Sequence, residues 1–302
     1  MNDHSIYDVI IVGGSYAGLS AAMSLGRSLR KVLVIDSGQP CNRQTPYSHN
    51  FLTRDGEIPS HIAEVGKNQV MKYDSVDFIH GTALKGKKER NLFVIEVETG
   101  ITYRSRKLLF ASGIKDMLPD IQGLSDCWGI SLLHCPYCHG YEVHNTRLGL
   151  LGNGDTGFEL AKLISNWSRE LILLTNGVSA LTTEQRKKLQ DHGIGINEKE
   201  ISHVNQHDGY VEQIVFRDGT TESLHTIFAR VPFEQHCKIP EALGCELTAQ
   251  GFLKIDDFQH TTVDGIYAAG DNTTFLRAVA AAVAAGNKAG ASINKELIEE
   301  AF

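Results

Sequence analysis

The chain has 302 residues, 42% of them apolar and 22% charged, enough for about two ordinary globular domains. A formal net charge of −7 and a pI near 6.0 leave no electrostatic footprint for nucleic acid. Six cysteines at irregular spacing do not form the disulfide framework of a small secreted domain, so a reducing cytoplasm is the expected compartment.

The N-terminal stretch has no basic region ahead of its apolar run and no small-residue cleavage site, so it reads as a first strand and not as a signal peptide. Tyr7 to Val12 is β-branched and apolar, suited to a strand buried on both faces. The turn Gly13-Gly14-Ser15-Tyr16-Ala17-Gly18 follows, then a helix from Leu19 to Ser28 and a strand from Lys31 that ends at Asp36. This order fits dinucleotide binding. The glycines allow a tight turn, the helix N-terminus favours pyrophosphate, and an acid at the end of the second strand can bind ribose hydroxyls. Ser15 stands at the usual second glycine and is the next smallest choice. The basic run Lys85 to Arg90 reads as a solvated hairpin turn. The strand Lys107–Phe110 leads into Ala111-Ser112-Gly113.

Near mid-chain stands Cys135-Pro136-Tyr137-Cys138-His139-Gly140. Two cysteines at this spacing can close a small reactive disulfide, and beside nucleotide-binding units the pair reads as redox-active. His139 supplies a proton donor and acceptor near neutral pH. A second strand–turn–helix–strand unit follows, with strand Leu148–Leu151, turn Gly152-Asn153-Gly154-Asp155-Thr156-Gly157, helix Phe158–Asn166 and strand Glu170–Leu174. Thr182 to Gly193 shows an N-cap, a helical body and a glycine stop. Strand signals return at residues 251–256 and 265–271, the latter ending in Gly270-Asp271, and an Ala-rich helix runs on to about residue 300. The Ala278–Ala285 stretch is too short to span a bilayer, and no membrane partner is expected. Linkers are expected at residues 113–119 and 231–240. The doubled signature implies an α/β chain of two Rossmann-like, three-layer dinucleotide domains, the second inserted into the first. Residues 1–115 with 241–302 form one domain, and residues 116–240 the other.

The order of these motifs resembles the low-molecular-weight thioredoxin reductase family of FAD-dependent pyridine-nucleotide–disulfide oxidoreductases over nearly the whole chain. The resemblance implies FAD held by Gly13, Gly14, Ser15, Ala17, Gly18 and Asp36, by Ala111, Ser112 and Gly113, and by Gly270 and Asp271. It assigns Asp271 to the ribityl chain and aims the helix starting near Arg277-Ala278 at the flavin ring. Asn50 matches a flavin-contacting asparagine. Cys138 would then face the flavin C4a, and Cys135 would meet the external thiol or disulfide. A homodimer is implied in the same way. Cys41, near the expected flavin region, could be buried there; it and Cys127, Cys237 and Cys245 read as isolated thiols.

Two features depart from the thioredoxin reductases. Leu174-Thr175-Asn176-Gly177 stands where a basic cluster would grip the 2′-phosphate of NADPH, which makes NAD(P)H doubtful. His139 stands where the family has Asp after the second cysteine. Both changes are similar to the FAD-dependent dithiol oxidases that close disulfides in molecules such as gliotoxin and holomycin and pass electrons to O2. The flavoprotein pattern argues against c-type haem at Cys135–His139, and no second Cys/His pair has zinc-ligand spacing, so no metal is expected. His49, His134 and His144 read as surface or packing residues, with His134 a candidate helper of the dithiol. Three readings follow, with Cys135, Cys138 and His139 as the catalytic group in the first two. The chain oxidises dithiols with O2 or otherwise acts without NADPH. Alternatively it reduces a thioredoxin-like protein or small disulfide, fed by NAD(P)H or ferredoxin. As a third reading, it is a redox-sensing flavin-binding interaction protein.

Overall fold

The computed structural model describes residues 6–302, so the first five residues of the expected flavin-binding range lie outside the described residues. The chain runs β1 (Ile6–Val12), α1 (Tyr16–Arg27), β2 (Val32–Asp36), α2 (Pro59–Val70), β3 (Val76–His80), β4 (Ala83–Glu89), β5 (Leu92–Val97), β6 (Thr102–Phe110) and β7 (Ile114–Asp116). It continues through β8 (Leu132–Leu133), α3 (Pro136–His139), β9 (Leu148–Leu151), α4 (Gly154–Ile164), β10 (Leu171–Leu174), α5 (Thr183–Asp191), β11 (Gly195–Asn197), β12 (Ile201–His207), β13 (Tyr210–Phe216), β14 (Thr221–Glu222) and β15 (Ile227–Ala229). The last elements are β16 (Phe233–Gln235), α6 (Ile239–Ala242), β17 (Ile266–Ala268) and α7 (Val279–Glu299). Two compact units divide the chain. One holds residues up to 43, 50–115 and 233–302, and the other holds 44–49 with 116–232.

In the first unit the strand order is β3-β2-β1-β6-β5-β4, with β17 also on β6. Strands β3, β2, β1, β6 and β17 run parallel. The first half of β6 pairs antiparallel with β5 and its last three residues pair with β17. Alternate residues of β1 and β2 feed different cores. Val9, Ile11, Val32 and Val34 pack with α1 and α7, while Ile10, Val12, Leu33 and Ile35 pack with Phe93 and Ile95. Burial on both faces is why residues 9–12 and 32–35 are apolar at every position, with no polar alternation. Helices α1 and α7 cross closely: a Cβ at Gly286 would lie 2.0 Å from the Ala17 carbonyl oxygen.

In the second unit the sheet order is β11-β10-β9-β15-β8, all parallel, beside an antiparallel β12-β13-β14 sheet. Leu148, Leu150 and Leu173 meet Leu160, Ala161 and Ile164 of α4 on one face. Leu151 and Leu174 meet Val204, Ile214 and Phe216 of the antiparallel sheet on the other.

Three local expectations change. The basic run Lys85–Arg90 is mostly strand β4, and the chain turns only at Arg90, whose φ is 56°. Lysines suit this solvated edge: they resist pairing by another chain, and Lys85 meets Glu96 of β5. Residues 251–256 form no strand and contribute one bridge, Leu247 to Leu253. Helices α1 and α4 begin inside their glycine-rich turns, earlier than Leu19 and Phe158. The connections at 113–119 and 231–240 carry β7 and β16, which pair as a two-stranded ribbon. No helix among the described residues is long and apolar enough to cross a membrane.

Candidate active site

Cys135 and Cys138 form a disulfide, with Cα atoms 5.3 Å apart. Cys135 is the N-cap of α3, Pro136 opens the helix with the φ it needs, and the His139 amide donates to the Cys135 carbonyl at 3.2 Å. This single turn brings residues 135 and 138 to the same side, as the disulfide requires. Tyr137 sits edge-on to Trp167, centroids 5.4 Å apart, and His134 stacks on Trp128 at 5.6 Å. The His139 ring meets His49 edge-on at 6.4 Å, and His49 Nδ1 lies 3.4 Å from Glu142 Oε1. Burial lowers the proton affinity of His139 below the ordinary imidazole value; His49 adds to this and Glu142 opposes it. The thiols of Cys127, Cys237 and Cys245 are pushed up by burial and stay protonated, hence unreactive.

The first glycine-rich turn links β1 to α1 at the carboxyl end of the parallel strands. Strand β1 lies between β2 and β6 there, so the chain order reverses at this point, the usual place for a ligand in an open α/β sheet. Gly13 has φ +104°, and a Cβ on it would stand 2.3 Å from the Ala111 carbonyl oxygen. Only glycine lets the turn and the Ala111-Ser112-Gly113 segment approach this closely. Asp36 Oδ1 accepts from the Gly14 amide at 3.0 Å. Ser15 is the N-cap of α1 but makes no side-chain cap bond, and no acid stands in the first turn. Helix α7 likewise starts after Ala278 with neither cap bond nor acid. Asp271 pairs with Arg277 at 3.3 Å and lies 3.9 Å from the Cys41 sulfur. Asn50 has φ 61°, and its amide donates to Asp55 at 2.7 Å. Cys41 is exposed, against the expectation of burial, because it stands in the turn after Pro40.

The second glycine-rich turn is closed by its own chain. Asn153 caps α4, its Oδ1 accepting from the Gly154 amide at 2.7 Å and from the Ala180 amide at 2.7 Å. Its Nδ2 donates to the Val178 carbonyl at 3.0 Å. The loop after β10 is thereby folded back on the start of α4. Asp155 occupies the first turn of α4 and accepts from Gln185 at 2.7 Å. Arg186 pairs with Glu198 at 2.5 Å. The Gly154 amide at the start of α4 and the Arg186 guanidinium, two groups that could take a phosphate, are thus engaged internally.

The family described as pyridine nucleotide-disulphide oxidoreductase matches residues 7–286. The chain belongs to that family. It is 30% identical to thioredoxin reductase tcpT of Claviceps purpurea, across 99% of this chain and 97% of that one. An oxidoreductase structure from Agrobacterium tumefaciens superposes with TM-score 0.91 at 32% identity, covering 98% and 99% of the two chains. The HlmI structure superposes with TM-score 0.93 at 30% identity, covering 100% and 95%.

FAD is the cofactor of this family, and the first unit of this member fits it. Two uncapped helix N-termini suit its pyrophosphate and ring. The Ser112 hydroxyl and Asn272 Oδ1 are buried with no partner among the described residues, as expected of groups that await a ligand.

Sequence reasoning missed two groups. His49 does pack, but its partner is His139, some 90 positions later in the chain, a pairing the sequence does not single out. No local pattern signals a meeting across that distance. In the sequence Asn153 is only the middle residue of Gly152-Asn153-Gly154. Its preference for N-cap positions was the available signal.

Proposed function

We propose that this FAD-dependent family member oxidises dithiols to disulfides without using NADPH. The observation that carries the proposal is the closed second turn, where Asn153 Oδ1 accepts from the Gly154 and Ala180 amides and so competes with a dinucleotide phosphate for the start of α4. The unpaired stretch of basic charge expected for a 2′-phosphate is also lacking in Thr175-Asn176-Gly177, and Thr175 Oγ1 donates to the Gly177 carbonyl at 2.6 Å.

The dithiol chemistry falls to Cys135, Cys138 and His139. A substrate thiolate attacks Cys135 Sγ, forming a mixed disulfide and releasing the Cys138 thiolate. The second substrate thiolate attacks the substrate sulfur of that mixed disulfide. This releases the cyclised or bridged product and the Cys135 thiolate, so two electrons pass to the cysteine pair. His139 takes a proton from an incoming thiol. Its burial keeps the ring neutral at neutral pH, which suits a base. When bound, FAD supplies the two-electron acceptor that restores the disulfide, with O2 as terminal oxidant. The turn from Gly13 to Gly18 with Asp36, the Ala111–Gly113 segment, Gly270-Asp271, Asn50 and the α7 start at Ala278 would hold it. We assign FAD to the expected domain of residues 1–115 with 241–302 and the redox pair to 116–240, with the compact units moving residues 233–240 into the first and 44–49 into the second. A cytoplasmic homodimer completes the proposal.

The thioredoxin reductase name of the Claviceps purpurea relative favours a second reading, reduction of a protein disulfide. Anaerobic titration of the FAD-loaded protein separates the two. A small dithiol such as dithiothreitol is expected to bleach the flavin at least about tenfold faster than NADPH or NADH, as loss of charged phosphate contacts implies. Fast, tight bleaching by NADPH would restore the reductase reading.

A further inference from the structure

We propose that the His49–Glu142 pair is a positioning device for His139, acting through the edge-on ring contact to hold the imidazole that follows the Cys135–Cys138 disulfide. The inference rests on His139 as the proton acceptor of the proposed function and adds two residues to it. His49 belongs to the same compact unit as the disulfide, although the chain around it belongs to the other. The segment that carries it is pinned. Gln44 and Thr45 pack on Gly129, where a Cβ would lie 2.9 Å from Thr45 Oγ1 and 3.1 Å from Gln44 Nε2. Ser48 is buried. At the end of this segment His49 Nδ1 stands 3.4 Å from Glu142 Oε1, and its ring meets that of His139 edge-on at 6.4 Å.

The contact restrains the His139 ring, and Glu142 holds the His49 ring that makes it. A protonated His49 disfavours a second positive charge on His139, while the Glu142 carboxylate favours one. Among the other titratable groups on this stretch, His134 stacks on Trp128, Tyr141 stacks on His144, and Tyr137 is exposed against Trp167. The cysteine pair does not titrate as the disulfide. His49 and Glu142 are therefore the side chains that tune the base.

The test uses the FAD-loaded full chain with labelled histidine rings, followed by NMR in the oxidised state. His49→Gln should raise the titration midpoint of His139 by at least about half a pH unit, since the ring that opposes a positive charge on His139 is removed. The acid limb of the pH–rate profile for dithiol oxidation should move up by the same amount. Glu142→Gln should lower turnover about three- to tenfold alone but less than about twofold in a His49→Gln background, as expected for residues that act as one. Flavin content and the cysteine-pair disulfide, measured on each variant, report folding, and His49→Asn repeats the test if His49→Gln folds poorly. An unchanged His139 midpoint in folded variants, or fully additive losses, overturns the inference. If His139→Ala itself keeps wild-type turnover and pH dependence, the acid–base role in the proposed function fails instead, and the two failures are distinguished.

Discussion

At the first glycine-rich turn α1 starts without a side-chain cap, and the buried Ser112 hydroxyl of the adjoining segment has no partner among the described residues. At the second turn Asn153 caps α4 and ties Ala180 and Val178 of the following loop to it. The letters are nearly the same, since both turns keep glycines at the strand end and inside the helix. One side chain makes the difference. A serine at the position before α1 leaves the helix N-terminus open, whereas an asparagine before α4 supplies internally the oxygen that a phosphate would bring. A glycine-rich fingerprint therefore reports a fold that can bind a dinucleotide, and the cap residue reports whether the helix end is free to do so.

The largest effect expected from breaking this contrast is at Gly13. Gly13→Val puts a branched side chain where φ is +104° and the Ala111 carbonyl lies 2.3 Å from the Cβ position. The purified variant should carry less than about a tenth of the wild-type flavin, read from its absorption spectrum; full flavin content would remove the first turn from the cofactor site. Next in size, Cys135→Ser and Cys138→Ser should each abolish dithiol turnover while keeping normal flavin absorbance, because exchange needs both sulfurs and the cofactor is held by other segments. Near wild-type turnover in either variant would mean that chemistry occurs elsewhere.

His139→Ala should cost at least about tenfold in turnover at neutral pH, the low end for a positioned base. Burial holds the folded proton affinity of His139 down, so the neutral, active form persists as pH falls to below the ordinary imidazole value. Wild-type rate should drop only under that value, and this limb should vanish in the variant; an identical pH profile would assign His139 to packing. The smallest effect sharpens the comparison directly. Asn153→Ala removes a cap worth about 0.5–2 kcal/mol. The melting temperature of the second unit should fall by a few degrees, on the order of 3–6 °C per kcal/mol for a unit between the 60–100 and 150–250 residue classes. Flavin content should not change. A large loss of flavin on Asn153→Ala would show the two turns to be coupled.

Much of the fold was legible because local patterns carried it. The apolar runs of β1, β2, β9 and β10 are buried on both faces, and α5 has the expected capping box between Thr182 and Gln185. Boundaries were less legible at the glycine turns, where helices begin within the motif because the helix N-terminus itself forms part of the turn. The basic run of β4 was misread because charge marks exposure, and an edge strand is as exposed as a loop.

The sequence by itself determined the chain's two α/β units, the cysteine pair and the adjacent histidine, since each depends on residues close together in the chain. The closure of the second turn, the exposure of Cys41, and the meeting of His49 with His139 and Glu142 were decided only by tertiary structure. Those contacts join segments far apart in sequence. Their formation depends on how buried strands and pinned loops bring the chain back on itself, which no local period encodes.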